Sequence, residues 1–381
     1  MKCLIAPASF KGTFRAREIG EICFESLSQE IEGLDLELSP MADGGSETLE
    51  LLRPYLGGEK ELIRVPGPAG GLLDAGFIYN PSTSTGLIES SKVIGLELLS
   101  RKHRNPLIAT SYPLGLVVRK LLDLGARTIL IGLGDTATLD YGVGMAKALG
   151  FRFLDERGDE VPSGGRGTVR IADLDSSGVL PSVYECRFVV LCDVTTPICG
   201  EKTVAEIFGP QKGAGESDVA VLERGAESVI RVIEDVTGID ISRMEMGGSA
   251  GGIAAVMNAL LGAELNRGST FIAEATGLVE RVKRSDLILT GEGRFDEQSF
   301  EGKAVSEVIS ISSSWGKPVS VICAVAELTL MDNAVFRVIS GDMLKGRRNT
   351  RLSQEDIAQL AVMAVSDYLE RKGTSRSHCS G

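Results

Sequence analysis

The sequence has 381 residues, of which 43% are hydrophobic and 24% are charged, and its formal net charge is −12. This composition is typical of a soluble globular protein, and the length predicts two domains. Nucleic acids and anionic membranes are bound by basic surfaces, so this acidic chain is expected to bind neither. An anionic substrate would need a local cluster of basic residues.

Targeting and metal-binding patterns are sparse. No apolar run reaches membrane-spanning length, and the N-terminus leads directly into a strand pattern, so we expect a cytoplasmic protein. The seven cysteines are scattered without a C-x-x-C pair, which indicates reduced thiols rather than a zinc site. Because the only histidines are His103 and His378, a Ser-His-Asp hydrolase or a histidine-ligated metal centre is nearly excluded. Acid and base chemistry therefore falls to carboxylates.

The first elements along the chain predict a β-α-β unit. Apolar runs at 2–6 and 34–38 indicate strands, and helical spacing indicates a helix over 16–30. The loops that follow the two strands should meet at one sheet edge, which makes Lys11 and Asp43 expected neighbours. Lys11 suits a phosphate or carboxylate, and Asp43 suits a metal or a hydroxyl proton. Alternatively, the pair only ties the two loops together.

A second domain is predicted from the glycine- and proline-rich texture that begins near residue 57. In this region a helix is expected over 114–124, and strands are expected over 128–131 and 187–191. The second strand leads to Asp193, and Lys212 follows in a glycine-rich loop, so an acid and a base stand at binding positions. The small residues at 246–253 open a helix, for which tight packing is favoured over contact with a ligand.

A weak dinucleotide-binding pattern follows the strand at 128–131. Gly132, Gly134 and Ala137 formally match the fingerprint, with an acid at 155 or 156 in the place of the ribose-binding residue. Glycines at 142 and 144 would weaken the helix that the fingerprint requires. A polar, glycine-rich substrate loop is the favoured interpretation.

The segment 290–304 combines glycines with charges of both signs. It follows a predicted buried strand at 286–289 and precedes a predicted helix at 305–311, so it is expected to be a loop at a ligand-binding sheet edge. Its charged residues are Glu292, Arg294, Asp296 and Lys303. Acids that hold a metal or take a proton, beside bases that hold phosphate, are what phosphoryl transfer needs. The alternative is a solvated turn whose charges pair with each other.

Both chain ends are expected to build one domain. Strands near residues 3, 36, 287, 321 and 337 would form one sheet, and a helix over 354–369 is capped by Ser353. The predicted domains are 1–65 with 285–381, and an inserted domain over 66–284. Residues 373–381 are expected to be a disordered tail.

Taken together, these stretches resemble the glycerate kinase family, whose members phosphorylate D-glycerate with ATP. The resemblance covers nearly the whole chain, and its matched residues are 7–12 (PASFKG), 41–45 (MADGG), 104–106 (RNP), 137–138 (AT) with Asp140, Gly142, Gly144 and Met145, 192–194 (CDV), 208–214 (FGPQKGA), 250–252 (AGG), 290–294 (TGEGR) with Asp296, and 302–304 (GKA).

This resemblance implies an α/β fold in which both chain ends form a flavodoxin-like three-layer domain. The middle of the chain would form an inserted second α/β domain, with the active site in the cleft between the two. A glycerate hydroxyl would attack the γ-phosphate of ATP while Mg²⁺ bridges the phosphates. No Walker A motif is present, so lysines such as Lys11, Lys212 or Lys303 would hold the phosphates.

The expected site residues follow from the matched motifs. Asp193 or Asp296 would be the base or a magnesium ligand, and Arg294 would bind the substrate carboxylate or stabilise the transferring charge. Lys11 completes the expected catalytic set. Residues expected to bind substrate or nucleotide are Ser9, Lys11, Asp43, Gly44, Gly45, Gly134, Asp140, Lys212, Gly291, Glu292, Gly293 and Lys303. The expected partners are a small hydroxy acid and ATP, with a homodimer left open.

The sequence also departs from the family pattern at positions expected to face the cleft, which are Ala8, Ser46, Leu114, Asp135, Leu139 and Tyr141. Loss of a polar partner there could redirect specificity. Three hypotheses therefore stay open. The first is a kinase for D-glycerate or a related hydroxy acid, the second is a catalytically silent homologue, and the third is a nicotinamide-dependent dehydrogenase.

Overall fold

The computed structural model describes residues 1–192, 194–300, 303–326, 336–345 and 351–377. The chain divides into two compact units. The terminal unit comprises Met1–Asp43 and Ser269–Gly381, and the central unit comprises Gly44–Gly268. No helix in the described ranges is long and apolar enough to cross a membrane. The cysteines in these ranges are free and mostly buried, as expected for reduced core thiols.

Strands and helices alternate along most of the chain. The strands are β1 (Lys2–Ile5), β2 (Asp35–Leu38), β3 (Glu59–Pro66), β4 (Leu72–Asn80), β5 (Thr85–Glu89), β6 (Thr128–Gly132), β7 (Arg152–Leu154), β8 (Asp173–Asp175), β9 (Arg187–Cys192), β10 (Glu264–Arg267), β11 (Leu287–Phe295), β12 (Val319–Ala326) and β13 (Phe336–Ser340). The helices are α1 (Ala16–Glu30), α2 (Thr48–Leu56), α3 (Ser91–Ile94), α4 (Tyr112–Asp123), α5 (Val143–Ala148), α6 (Gly165–Thr168), α7 (Pro181–Tyr184), α8 (Val204–Phe208), α9 (Glu216–Thr237), α10 (Ser249–Leu261), α11 (Gly268–Ala275), α12 (Leu278–Lys283), α13 (Ala304–Ser314), α14 (Gly341–Lys345) and α15 (Gln354–Ser377). Short 3₁₀ helices span Leu96–Leu98, Arg101–His103, Pro210–Lys212 and Glu297–Phe300.

The terminal unit is built on a parallel sheet with the order β2-β1-β11-β12-β13. Counted along this unit, the spatial order is second, first, third, fourth, fifth, which is the flavodoxin-like arrangement. The predicted α/β class and the predicted five-strand sheet are therefore confirmed. Leu27 of α1, Val365 of α15 and Ile5 of β1 share one buried cluster, and each such side chain contributes about 1.5–3 kcal/mol by leaving water.

Two predicted boundaries in this unit are corrected. The predicted loop at 290–304 begins too early, because β11 continues to Phe295 and pairs with β12 as far as Ala326. Gly291, Glu292 and Arg294 therefore lie on a strand rather than in a loop. The final helix begins where predicted, with Ser353 and Asp356 exchanging capping hydrogen bonds. It runs on to Ser377, so only residues 378–381 of the predicted tail lie outside the described residues.

The central unit contains a mixed sheet with the order β10-β9-β6-β5-β4-β3. Strands β5, β6, β9 and β10 are parallel, whereas β3 and β4 form an antiparallel pair. The domain boundaries predicted at 65/66 and 284/285 differ from those of the compact units. The reason is hydrogen bonding: β3 pairs with β4 along its whole length, and Arg281 of α12 bonds to Glu37 of β2.

Candidate active site

The terminal unit brings the loop after β1 against the outer part of β11. The amide of Ala8 donates to the carbonyl of Gly291 at 2.8 Å, and the amide of Met41 donates to the carbonyl of Pro7 at 2.9 Å. The chain order of the sheet reverses at β1, and in open α/β sheets ligands bind at such a switch point, beyond the carboxyl ends of the strands. This edge therefore holds the segments that carry Ser9, Lys11 and Glu292.

Lys11 and Asp43 are neighbours, as their strand ends predict. The Lys11 Nζ lies 3.7 Å from the Asp43 Oδ2, and 69% of the lysine side chain is exposed. An ion pair this exposed contributes only about 0–1 kcal/mol to stability. The ion pair that the alternative interpretation requires, a tie between the two loops, is thus present but weak, and both roles stay open.

Two carboxyl groups at this edge each have an unpartnered oxygen. Among the described residues, no donor bonds to the buried Oε1 of Glu292 or to the buried Oδ1 of Asp296. Burial raises the pKa of Glu292 to about 7, and the charge of Asp296 acts in the same direction. A hydrogen bond from Ser299 and the charges of Lys303 and Lys11 oppose that rise. Lys303, Lys11 and Asp296 thus act electrostatically on Glu292.

The remaining predicted residues of this edge are two basic residues and the two glycines of β11. Arg294 is exposed on β11, and Lys303 is the residue that precedes α13. A Cβ atom at Gly291 would lie 2.4 Å from the carbonyl oxygen of Ile322, so glycine is required there by the neighbouring strand. At Gly293 the nearest atom would be the Cα of Phe10, at 3.4 Å.

The central unit packs two glycine loops together at the ends of its parallel strands. Gly44 has φ +85°, and a Cβ there would lie 2.6 Å from the carbonyl oxygen of Leu191. A Cβ at Gly134 would lie 2.7 Å from the Cα of Gly45. These glycines allow close contact between backbone segments of the same unit.

A contact beside these glycines was missed from the sequence. The Ser46 hydroxyl donates to the Asp135 carboxylate at 2.9 Å, and Asp135 has φ +53°, a conformation that favours glycine.

Glu89 is a buried acid that was also missed from the sequence. It is almost fully buried and accepts hydrogen bonds from the Leu49 amide and the Ser91 hydroxyl. Its place at the end of a parallel strand is the one signal that could have drawn attention to it.

Asp140 is a buried anchor for two helices. Its Oδ2 accepts hydrogen bonds from the amide and hydroxyl of Ser111, from the hydroxyl of Thr110 and from the amide of Gly144. These donors precede α4 or open α5. Burial raises the pKa of Asp140, and the hydrogen bonds oppose that rise. The predicted binding residue is thus held inside the unit by its own chain.

Lys212 is also buried, with 4% of its surface exposed. Its Nζ donates to the Thr138 carbonyl at 2.7 Å and to the Thr136 hydroxyl at 3.3 Å. Burial lowers the pKa of Lys212 to about 7, while the charges of Asp140 and Asp135 act against that fall. The ammonium group therefore bonds to the loop after β6, and a phosphate is not needed to explain its place.

Several departures from the family pattern prove to be core residues. Leu114, Leu139 and Tyr141 are fully buried and belong to the main cluster of the central unit, and the Tyr141 hydroxyl donates to the Leu222 carbonyl at 2.8 Å. The expectation that they line the binding cleft is wrong, because apolar contacts fill their surroundings. The predicted helix opening at 246–253 is wrong in part, because Ala250, Gly251 and Gly252 have φ values between +54° and +93° and interrupt the first turn of α10. A Cβ at Gly251 would lie 2.4 Å from the Thr138 carbonyl oxygen, so these residues pack closely on the neighbouring backbone.

The dinucleotide pattern lacks its structural context. Strand β6 ends at Gly132, but the next helix begins only at Val143. Asp155 accepts hydrogen bonds from the amides of Arg157 and Asp159, so it closes a local turn. Neither observation favours a nicotinamide cofactor.

Asp193 lies outside the described residues. Within the parts of the chain that are described, no group of three or more His, Cys, Asp or Glu side chains is arranged to hold a metal ion.

The fold defines an α/β protein whose terminal unit offers an acid- and base-lined edge at the switch point of a parallel sheet. The model of the glycerate kinase family matches residues 3–343, so the chain belongs to that family. It is 35% identical over 319 residues to the glycerate 2-kinase of Escherichia coli (strain K12), with 84% of each chain covered. It is 34% identical over 319 residues to the glycerate kinase of Halalkalibacterium halodurans, again with 84% of each chain covered.

A solved structure gives the same result. A crystal structure from Salmonella typhimurium LT2, described as a proposed glycerate kinase 2, is similar to this chain with a TM-score of 0.79 and 30% sequence identity. The match covers 98% of this chain and 99% of the other. The family expected from the sequence motifs is confirmed.

Proposed function

We propose that the protein transfers the γ-phosphate of ATP to a hydroxyl of D-glycerate or of a closely related small hydroxy acid. Family membership and the names of the relatives support this class of reaction. The observation that carries it is the pair of carboxyl groups with unpartnered oxygens, Glu292 and Asp296, of which Glu292 is under the influence of the Lys11 and Lys303 charges. Phosphoryl transfer requires such acids and bases together.

The proposed roles follow from charge and exposure. Lys11, exposed, and Lys303 would hold phosphate oxygens, and Arg294 would bind the substrate carboxylate or the transferring phosphoryl group. Asp193 stays a prediction as base or metal ligand. The further residues proposed to bind substrate or nucleotide are Ser9, Asp43, Gly44, Gly45, Gly134, Gly291 and Gly293. Asp140 and Lys212, also predicted to bind, instead make hydrogen bonds within the central unit.

Asp296 fits a magnesium ion by the chemistry of its carboxylate. Its buried Oδ1 has no hydrogen-bond partner among the described residues. Mg²⁺ prefers oxygen ligands and is commonly held by one or two carboxylates together with substrate phosphates. When bound, the ion would neutralise charge on the phosphates.

The test is ADP release by the purified protein with ATP, Mg²⁺ and a panel of D-glycerate, L-glycerate and related hydroxy acids. Turnover on D-glycerate or another acid of the panel, abolished by EDTA, is the expected result. ATP binding without turnover on any acid would favour the catalytically silent homologue instead. The cytoplasmic location and the homodimer stay predictions, and sedimentation velocity would decide the second.

A further inference from the structure

Glu292 carries a buried oxygen without a hydrogen-bond partner at the switch-point edge of the terminal sheet. It lies on β11 next to Gly291, whose carbonyl accepts the hydrogen bond from the loop after β1. Buried side-chain oxygens nearly always have a hydrogen-bond partner, yet the Glu292 Oε1 has none among the described residues. An unpartnered acceptor at a ligand-binding sheet edge is explained if its donor arrives with the substrate.

Ser299 fixes the chain beside this carboxyl group. The fully buried Ser299 hydroxyl donates a hydrogen bond to the Arg294 carbonyl at 3.4 Å and accepts one from the Asp296 amide at 3.0 Å. These bonds hold the turn that follows β11 against the strand that carries Glu292. A fixed backbone on both sides of the glutamate favours one position of its side chain, as a catalytic group requires.

The charges around Glu292 suit proton transfer. Lys11 and Lys303 act on it from the loop after β1 and from the residue before α13, and Asp296 acts on it from the end of β11. Two neighbouring carboxyl groups in different environments commonly take different roles, one holding charge and one moving a proton. Asp296 is the group proposed for the metal, and Glu292 is the described carboxyl group whose surroundings suit a proton acceptor.

We propose that Glu292 is the catalytic base that accepts the proton of the acceptor hydroxyl. This inference rests on the proposed function. The O–H bond of the hydroxy acid breaks, and its proton passes to the Glu292 Oε1. The hydroxyl oxygen forms a bond to the γ-phosphorus of ATP as the bond from that phosphorus to the β,γ-bridging oxygen breaks, so that ADP leaves. Water then takes the proton from Glu292.

The near-neutral pKa of Glu292 supports this role, because a base works best when its pKa is close to the working pH. The groups that act on it are Ser299, Lys303, Asp296 and Lys11. From β12 the paired residue Cys323 also faces it, and burial together with the Glu292 charge raises the pKa of that thiol. The geometry, an unpartnered oxygen held at the switch point, is independent of that value.

The test compares Glu292→Gln and Glu292→Asp with Glu297→Gln, a matched control at an exposed carboxylate five positions further along. We expect Glu292→Gln to lower kcat about 100-fold or more while ATP affinity and the KM for the acid stay within about threefold. Glu292→Asp should retain more activity than the glutamine variant, and Glu297→Gln should match the wild type. A Glu292→Gln enzyme with kcat within about threefold of the wild type would overturn the proposal.

The pH dependence supplies a second readout. In the wild type kcat/KM should rise as the pH passes through about 7, and in Glu292→Gln this step should be missing from the residual activity. Ionisation of ATP affects both proteins equally, so the comparison isolates Glu292. An unchanged step in the glutamine variant would contradict the assignment. Failure of the wild type on every acid would instead contradict the proposed function.

Discussion

At the scale of single residues, Glu292 combines burial with an oxygen that no described residue satisfies. Ionising such a group in the folded chain costs stability. Its pKa is about 7 in the folded chain against an ordinary 4.5. The protonated Glu292 carboxyl group therefore makes its full contribution to the free energy of unfolding below about pH 4.5, and this contribution is lost as the pH rises through about 7.

We therefore predict that Glu292→Gln is more stable than the wild type at pH 8. The difference in the free energy of unfolding is at most about 3 kcal/mol, which corresponds to a pKa that is raised from 4.5 to about 7 on folding. The advantage should shrink as the pH falls toward 4.5. Urea unfolding at several pH values measures it, with Glu297→Gln as the control. A glutamine variant less stable than the wild type at pH 8 would show that the carboxylate has a stabilising partner.

Lys212 gives the opposite dependence on pH. The pKa of Lys212 is about 7 in the folded chain and 10.5 ordinarily, because burial favours the neutral amine. The contribution of the neutral amine to the free energy of unfolding is therefore fully present above about pH 10.5, and it is lost as the pH falls through about 7. Relative to Lys212→Met, the wild type should gain more than about 2 kcal/mol of unfolding free energy between pH 7 and 9.5. Lys202→Met, at an exposed lysine, should show no such trend.

Single residues were predictable where strand topology decides their neighbours. Lys11 and Asp43 follow adjacent parallel strands, so their contact could be expected from the sequence alone. Ser46 and Asp135 are 89 positions apart on glycine loops whose paths depend on tertiary packing. The hydrogen bonds of Lys212 likewise depend on a long-range contact that no local pattern encodes.

At the scale of elements, the outer half of β11 shows how pairing overrides local composition. Gly291 and Gly293 indicate a turn when the sequence is considered alone, since glycine is disfavoured in strands. The neighbouring β12 is apolar and long enough to offer hydrogen bonds as far as Ala326, so the strand continues. Helices with strong apolar spacing, such as α1, were predicted correctly because the signal is local.

This pairing makes Gly291 sensitive to added volume. A Cβ atom there would lie 2.4 Å from a backbone oxygen, which cannot move without disturbing β12. Gly291→Ala should lower the free energy of unfolding by about 1–3 kcal/mol. Gly293→Ala is the matched comparison, because its nearest atom would be 3.4 Å away, and it should cost clearly less. Equal losses in urea unfolding would mean that the contact at Gly291 relaxes easily.

At the scale of the whole molecule, the two-unit organisation was predicted but its boundaries were not. Glycine-rich texture marked a change near residue 57, whereas the central unit begins at Gly44. The strand β3 carries exposed charges along its edge, so composition alone does not assign it to either unit. Its pairing with β4 does.

We predict that a fragment comprising 44–268 folds alone, because the central unit has its own sheet and its own buried cluster. A fragment comprising 66–284, the span predicted from sequence, lacks α2 and almost all of β3, and it should be unstable. Circular dichroism with thermal melting compares them. Cooperative melting of the shorter 66–284 fragment at the same temperature would contradict the observed boundary.

The place of β1 between β2 and β11 also bears on how the protein is made. The two hydrogen-bonded ends Lys2 and Asp286 are 284 positions apart in the chain. At ordinary ribosomal speeds, the N-terminal strands wait roughly 15–60 s before their central neighbour is synthesised. During that interval the central unit can fold, while β1 keeps an open, apolar edge. Nascent chains should therefore depend on chaperones at their N-terminus until the last quarter of the polypeptide has left the ribosome.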